Sequence, residues 1–271
     1  MQVRPALINV MAKAAEKAAR GLKRDFGEVE KLQISRKGPA DFVSNADMQA
    51  QKVLREELGK ARPSFGFIME EKDGMPDSSG NADCWIVDPL DGTTNFLHGM
   101  PHWAISIAAV KGGEVVAGLI FNPVADEMFW AEKGMGAFCN NQRLRVSKRK
   151  DLSECLLATG LPFKGSRKPV PEALAELELF LPQVAGIRRA GSAALDLAYV
   201  AAGRFDGYWE RGLGPWDLAA GLVIVREAGG FIAPLEVGGD PLKTGALIAT
   251  NAELHDQIVR NLRGLSKKAK K

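Results

Sequence analysis

The sequence is poor in cysteine and histidine, with three of each in 271 residues. Cys84, Cys139 and Cys155 show no metal-ligand spacing, and their odd number argues against a disulfide framework. That usage fits a reducing cytoplasm. An excess of one charge is also missing. The 36 basic and 33 acidic side chains leave a formal net of +3, too little to argue for nucleic acid. The basic cluster Ser266-Lys-Lys-Ala-Lys-Lys271 reads as a solvated terminus. No apolar run is long enough to span a bilayer, and the N-terminus lacks the basic-then-apolar pattern of a secretory signal. A cytoplasmic chain with no membrane attachment is expected. There is no serine, histidine and aspartate order, no nucleophilic-cysteine context and no P-loop.

The length allows one large domain or two packed halves. Leu7, Met11, Ala14, Ala18 and Leu22 recur at helical spacing and predict an amphipathic helix from Pro5 to about Arg24. Leu32 to Ser35 alternates like a strand. Ser44-Asn-Ala-Asp47 resembles a capping box and starts a helix to about Leu58. Phe65 to Met69 reads as a strand with Glu70 and Glu71 at its end. From His102 the pattern is that of a meander: strands over 103–110, 114–121, 127–131, 134–138 and 143–146, joined by short turns. After about residue 150 strands and helices alternate, which predicts an α/β half. The helices are expected over 171–181, 192–202 and 217–228, with a last one after Asn251. The strands are expected over 156–159, 186–189, 205–210 and 246–250.

One stretch carries the chemistry. Trp85-Ile-Val-Asp-Pro-Leu-Asp-Gly-Thr-Thr-Asn-Phe96 begins as an apolar strand, breaks at Pro89 and Gly92, and continues into helix N-cap residues. Asp88 and Asp91 sit on the break. Carboxylates and a turn carbonyl are hard ligands suited to Mg²⁺. Free N–H groups at a helix start favour a phosphate. The same residues also fit a plain strand-end turn whose aspartates cap backbone N–H groups. Asp217 is open in the same way, as a cap of the helix after Trp216 or as a ligand. His98 and His102 read as structural rather than metal-binding, because the carboxylates suit Mg²⁺ better than Zn²⁺.

The twelve-residue string resembles the central signature of the inositol monophosphatase family. Asp41-Phe-Val-Ser-Asn-Ala-Asp47, Glu70-Glu71, Gly191-Ser-Ala-Ala-Leu195 and Trp216-Asp-Leu-Ala-Ala-Gly221 agree in order and spacing. The resemblance runs from the first helix to about residue 263. It implies an αβαβα sandwich of the sugar-phosphatase type. Residues 1–150 would form an antiparallel-rich α+β half carrying most metal ligands. Residues 151–271 would form an α/β half carrying the last ligand and the substrate contacts.

By the same resemblance Glu70, Asp88 and the Leu90 carbonyl hold one Mg²⁺, and Asp88, Asp91 and Asp217 a second. A third ion near Glu70 and replacement by Mn²⁺ are compatible with it. Thr93, paired with Asp47, orients the attacking water. The N–H groups of Gly92 and Thr93 cradle the phosphate. Glu210 and the backbone at Ser192 and Ala193 meet the alcohol's hydroxyls, and Lys37 is a basic loop residue near the metals. Arg188 and Arg189 meet either a second charged group of a substrate or a dimer partner. Glu71 is a neighbour of Glu70 rather than a ligand.

The implied activity is hydrolysis of inositol 1-phosphate by a lithium-sensitive homodimer. Fructose 1,6-bisphosphate, 3′(2′),5′-bisphosphate nucleotides and histidinol phosphate are the alternative substrates. A contact with the transcription machinery, as an accessory factor in RNA processing, is the alternative of another class. Met69 before Glu70, and Lys72-Asp-Gly-Met75 after Glu71, depart from the family's pattern and bear on substrate preference.

Overall fold

The computed structural model describes residues 4–26, 28, 34–36, 42–71, 83–163 and 170–268. Its helices are α1 (Ala6–Phe26), α2 (Asn45–Ala61), α3 (Thr93–Leu97), α4 (Val170–Phe180), α5 (Ala193–Ala201), α6 (Pro215–Glu227), α7 (Pro241–Thr244) and α8 (His255–Lys268). Two short strands, β1 (Ile34–Arg36) and β2 (Phe42–Ser44), pair antiparallel. A seven-stranded sheet follows from β3 (Gly66–Met69), β4 (Cys84–Asp91), β5 (Ala104–Lys111), β6 (Glu114–Asn122), β7 (Glu127–Glu132), β8 (Ala137–Cys139) and β9 (Gln142–Arg143), in chain order. β3 and β4 run parallel and every later neighbour is antiparallel.

A five-stranded sheet is built from β10 (Leu156–Thr159), β11 (Gly186–Arg188), β12 (Gly207–Glu210), β13 (Phe231–Pro234) and β14 (Leu247–Thr250), in the order β11-β10-β12-β14-β13. β11, β10 and β12 are parallel, while β14 and β13 are antiparallel.

Side-chain alternation assigns the layers. Trp85 and Val87 of β4 point toward α1 and α2, joining Leu7, Met11, Ala14, Leu22 and Leu54 in one core. Cys84 and Ile86 point the other way, toward α5 and α6. Tyr208 of β12 and Ala249 of β14 reach the same two helices from the second sheet. Trp209 and Ile248 face outward onto Phe180 of α4 and Ile258 and Leu262 of α8. The order is helices, sheet, helices, sheet, helices, as expected. With layers on both faces β4 is buried along its length, which explains its unbroken apolar start. Each large apolar side chain fully buried in this way contributes about 1.5–3 kcal/mol.

Close approach of the middle layer needs small residues. A Cβ on Gly118 of β6 would lie 2.6 Å from the Ala220 carbonyl of α6. One expectation is corrected. A strand over 143–146 ends at Arg143, because Val146 N–H leaves the sheet and donates to the Ala228 carbonyl just past α6 (3.1 Å). No helix among the described residues is long and apolar enough to cross a membrane.

Candidate active site

The acidic pair is placed by a bulge. In a regular strand, residues three apart point to opposite faces. Asp88 lies opposite Ser106 and Asp91 opposite Ala104, so three steps on β4 match two on β5. The extra residue turns Asp91 to the same side as Asp88. Pro89, which has no N–H to give to a ladder, sits inside this irregularity. The Leu90 N–H donates to Asp88 Oδ1 (2.8 Å). Gly92 then takes φ +90°, and α3 starts at Thr93. The Thr93 hydroxyl donates to the Leu90 carbonyl (2.9 Å).

The third carboxylate comes from the other half of the chain. Pro215 opens α6, and Asp217 caps it by accepting the Gly214 N–H (2.7 Å). Ser106 of β5 donates to the Trp216 carbonyl (3.1 Å), which fixes this helix start over the bulge. Asp217 therefore caps the helix, and it also stands in the carboxylate cluster. Ligand atoms of Asp88, Asp91 and Asp217 lie within 4.8 Å of one another. Asp91 is held by the Ser192 hydroxyl and by the Ala194 N–H (2.8 Å) at the start of α5.

These carboxylates are crowded. Burial pushes Asp88 well above the usual carboxylate range, and the charges of Glu70, Asp91, Asp217 and Asp47 push it further. Burial also raises Asp217, helped by Asp91 and Glu70. Burial raises Asp91 to about 6, against the opposing hydrogen bond from Ser192. Ionised carboxylates packed in this way need a cation. Three clustered, largely buried carboxylates beside a turn carbonyl fit a hard divalent ion.

A stability prediction follows for the metal-free protein. Asp91 binds a proton more tightly folded (about 6) than unfolded (3.8). Its contribution is full below the unfolded pKa and is lost as pH rises through the folded one. The metal-free melting temperature therefore falls by a few degrees between about pH 5 and pH 7. A divalent ion reverses the loss at pH 7, and thermal scans with and without Mg²⁺ measure both effects.

The cluster lines a cleft of about 540 Å³. Glu70, Leu90, Gly92, Thr93, Ser192, Ala193 and Glu210 also line it. Glu210 Oε2 accepts the Tyr208 hydroxyl (2.6 Å). Gly160 makes room for it, since a Cβ there would lie 1.9 Å from the Glu210 carboxylate. Asp47 at the start of α2 is fully buried and acts on Asp88 through its charge. Arg188, at the end of β11, is not among the lining residues, and its exposed guanidinium turns back to the Ile187 carbonyl (3.2 Å). Its neighbour Arg189 lines the cleft instead.

Glu71 is buried and its backbone is held by Gln51 of α2 (2.7 and 3.2 Å). His98 is exposed and His102 offers its carbonyl to Asn95 (2.7 Å), so neither joins the cluster. Lys37 and the segment Lys72 to Met75 lie outside the described residues. Tyr208, Gly160 and the buried Asp196, whose acidity is suppressed by burial and by Glu210 and Asp91, are not among the expected site residues. Gly160 and Asp196 meet Glu210 from other elements of the chain, whereas Tyr208 lies two residues from it on β12, a same-face spacing that could have found it.

Comparison with known proteins gives a consistent result. A family model described as the inositol monophosphatase family matches residues 2–267. An inositol-1-monophosphatase of Rhizobium meliloti is 55% identical over 251 residues, covering 93% of this chain and 94% of that protein. The Nus factor SuhB of Pseudomonas aeruginosa is 40% identical over 258 residues, covering 94% of this chain and 95% of that protein. Among solved structures, the extragenic suppressor protein suhB from Bartonella henselae matches with a TM-score of 0.90. It is 52% identical and covers 96% of this chain and 99% of that one.

Proposed function

The chain belongs to the inositol monophosphatase family, and from that premise we propose that it is a magnesium-dependent phosphomonoesterase. Its substrate is inositol 1-phosphate, hydrolysed to inositol and phosphate. The observation that carries the reading is the carboxylate set Asp88, Asp91 and Asp217 in a cleft that Glu210 also lines. Glu70, Asp88 and the Leu90 carbonyl would hold one Mg²⁺, and Asp88, Asp91 and Asp217 would hold another. Mn²⁺ could take their place, and Glu70 would also serve a third ion. When bound, the ions supply a water acidic enough to attack phosphorus at neutral pH and positive charge at the leaving oxygen.

The protein's own groups position the rest. The Gly92 and Thr93 N–H groups, which a helix start leaves without intrahelical partners, receive the phosphate oxygens. Thr93 and Asp47 orient the attacking water, with the Thr93 hydroxyl leaving the Leu90 carbonyl to do so. Glu210 accepts hydrogen bonds from the polyol hydroxyls, beside the backbone at Ser192 and Ala193. Arg189, which lines the cleft where Arg188 does not, contributes positive charge to it, and by the family resemblance Lys37 adds more. Residues 1–150 supply Asp47, Glu70, Asp88 and Asp91, and residues 151–271 supply Asp217 and Glu210. The working form is a lithium-sensitive, cytoplasmic homodimer.

The test is phosphate release with Mg²⁺ from inositol 1-phosphate, fructose 1,6-bisphosphate, adenosine 3′,5′-bisphosphate and histidinol phosphate. Inositol 1-phosphate is expected to give the highest kcat/KM. A higher value for either of the last two sinks the substrate assignment and leaves the chemistry. A second reading is favoured by the relatives named Nus factor SuhB. It is a surface contact with the transcription machinery alongside catalysis. A pull-down from host lysate that recovers neither polymerase nor an elongation factor removes it.

A further inference from the structure

We infer that Glu176 of α4, on the opposite face of the five-stranded sheet from the cleft, is the positioning residue for Glu210. Through it α4 sets how tightly the protein holds the hydroxyl-bearing part of its substrate. The inference rests on the proposed placement of a polyol against Glu210.

Glu210 is the last residue of β12 and is paired by the sheet on one side only. It lies opposite Leu247 of β14, but β10 runs out one step earlier, at Thr159 opposite Trp209. Gly212, with φ +71°, then turns the chain away. A strand end of this kind frays unless something else holds it. Glu176 does so from the far side. It is 6% exposed. It accepts a hydrogen bond from Trp209 Nε1 (2.9 Å) and another from Arg211 Nη1. These are the residues immediately before and after Glu210; alternation turns Trp209 away from the cleft, and Arg211, just past the strand, meets the same carboxylate. One carboxylate therefore restrains the chain on both sides of the residue that faces the substrate. The Trp209 ring also packs on Phe180 of α4 (5.0 Å between centroids), and Arg211 faces Glu172 one turn earlier (3.7 Å).

The side chain of Glu210 is fixed separately, by the Tyr208 hydroxyl and by its seat over Gly160. Buried carboxylates are costly unless paired. Anchoring α4 alone would need none, since Phe180 already packs it onto the sheet. A carboxylate that must meet hydroxyls within a fraction of an ångström gains from such a brace.

The experiment compares kcat and KM for two substrates. One is the polyol phosphate that the unaltered protein cleaves best. The other is p-nitrophenyl phosphate, which offers Glu210 no hydroxyls. Glu176→Gln puts an amide N–H₂ against one of two donors. It should raise KM for the polyol phosphate by roughly ten-fold, with its kcat and both constants for p-nitrophenyl phosphate held within about two-fold. Glu176→Asp should recover part of the loss. In a Glu210→Gln background, Glu176→Gln should add nothing, because the residue it positions is gone. Arg211→Gln, at a less buried position, should give the same selectivity and serves if the Glu176 variant does not fold. Equal losses on both substrates, additive losses in the double variant, or a lowered melting temperature with an unchanged substrate ratio would overturn the inference. A wrong substrate assignment shows in the unaltered protein's own ranking; a wrong role for Glu176 shows as an unchanged ratio.

Discussion

Replacing Asp88 with asparagine abolishes Mg²⁺-dependent turnover, by roughly a thousand-fold or more, and makes the metal-free protein more stable. Both results come from one geometry. Asp88 faces Asp91 and Asp217 across the bulge of β4, and Glu70 and Asp47 add their charges. Asparagine keeps the shape, and its amide oxygen can still accept the Leu90 N–H that now bonds Asp88 Oδ1. The substitution removes the charge at the centre of the cluster. Without metal that charge is only repulsive, so its loss raises the melting temperature. In the proposed metal site Asp88 would serve both ions, so its loss is expected to remove the Mg²⁺-dependent rise in melting temperature together with the activity. A variant that turns over at a near-normal rate contradicts the metal assignment.

Gly92→Ala is expected to cost both stability and activity. Its φ of +90° is unfavourable for any residue with a Cβ. The added atom would also lie 3.0 Å from the His102 carbonyl, 3.3 Å from Trp103 Cα and 3.4 Å from the Gly191 carbonyl. All three neighbours are backbone, so none can swing aside. The turn itself must shift, and it carries Asp91 on one side and the start of α3 on the other. The strain costs about 1–3 kcal/mol, and displacing the proposed phosphate cradle is expected to lower kcat/KM by roughly 10²-fold or more. Chemical denaturation and steady-state kinetics measure the two effects. An alanine variant that is as stable and as active as the unaltered protein would show that the turn is not held as described.

Much of this was legible in the sequence, for identifiable reasons. The period of Leu7, Met11, Ala14, Ala18 and Leu22 gave α1 because one face of that helix is buried and the other is not. The acidic stretch was readable because Gly92 announces the break between strand and helix; the expected break at Pro89 is instead a bulge, and β4 runs on to Asp91. What could not be read was the bulge that brings Asp88 and Asp91 to one side. By alternation alone they point apart, and only pairing with β5 shows the extra residue. β13 was missed because Phe231-Ile-Ala-Pro234 is short and ends in proline, which is tolerated here at the sheet edge. Arg189, rather than Arg188, lines the cleft, a choice set by where β11 ends. The brace of Glu176 on Trp209 and Arg211 spans more than thirty residues of sequence. No spacing rule connects a helix to a strand end that far away.

The most direct measurement is phosphate release from inositol 1-phosphate by protein stripped of metal with a chelator, followed as Mg²⁺ is added back. The account predicts no release from the stripped protein, recovery as Mg²⁺ rises, and no recovery in the Asp88→Asn variant. Full turnover in the chelator, or recovery in that variant equal to the unaltered protein's, would contradict it.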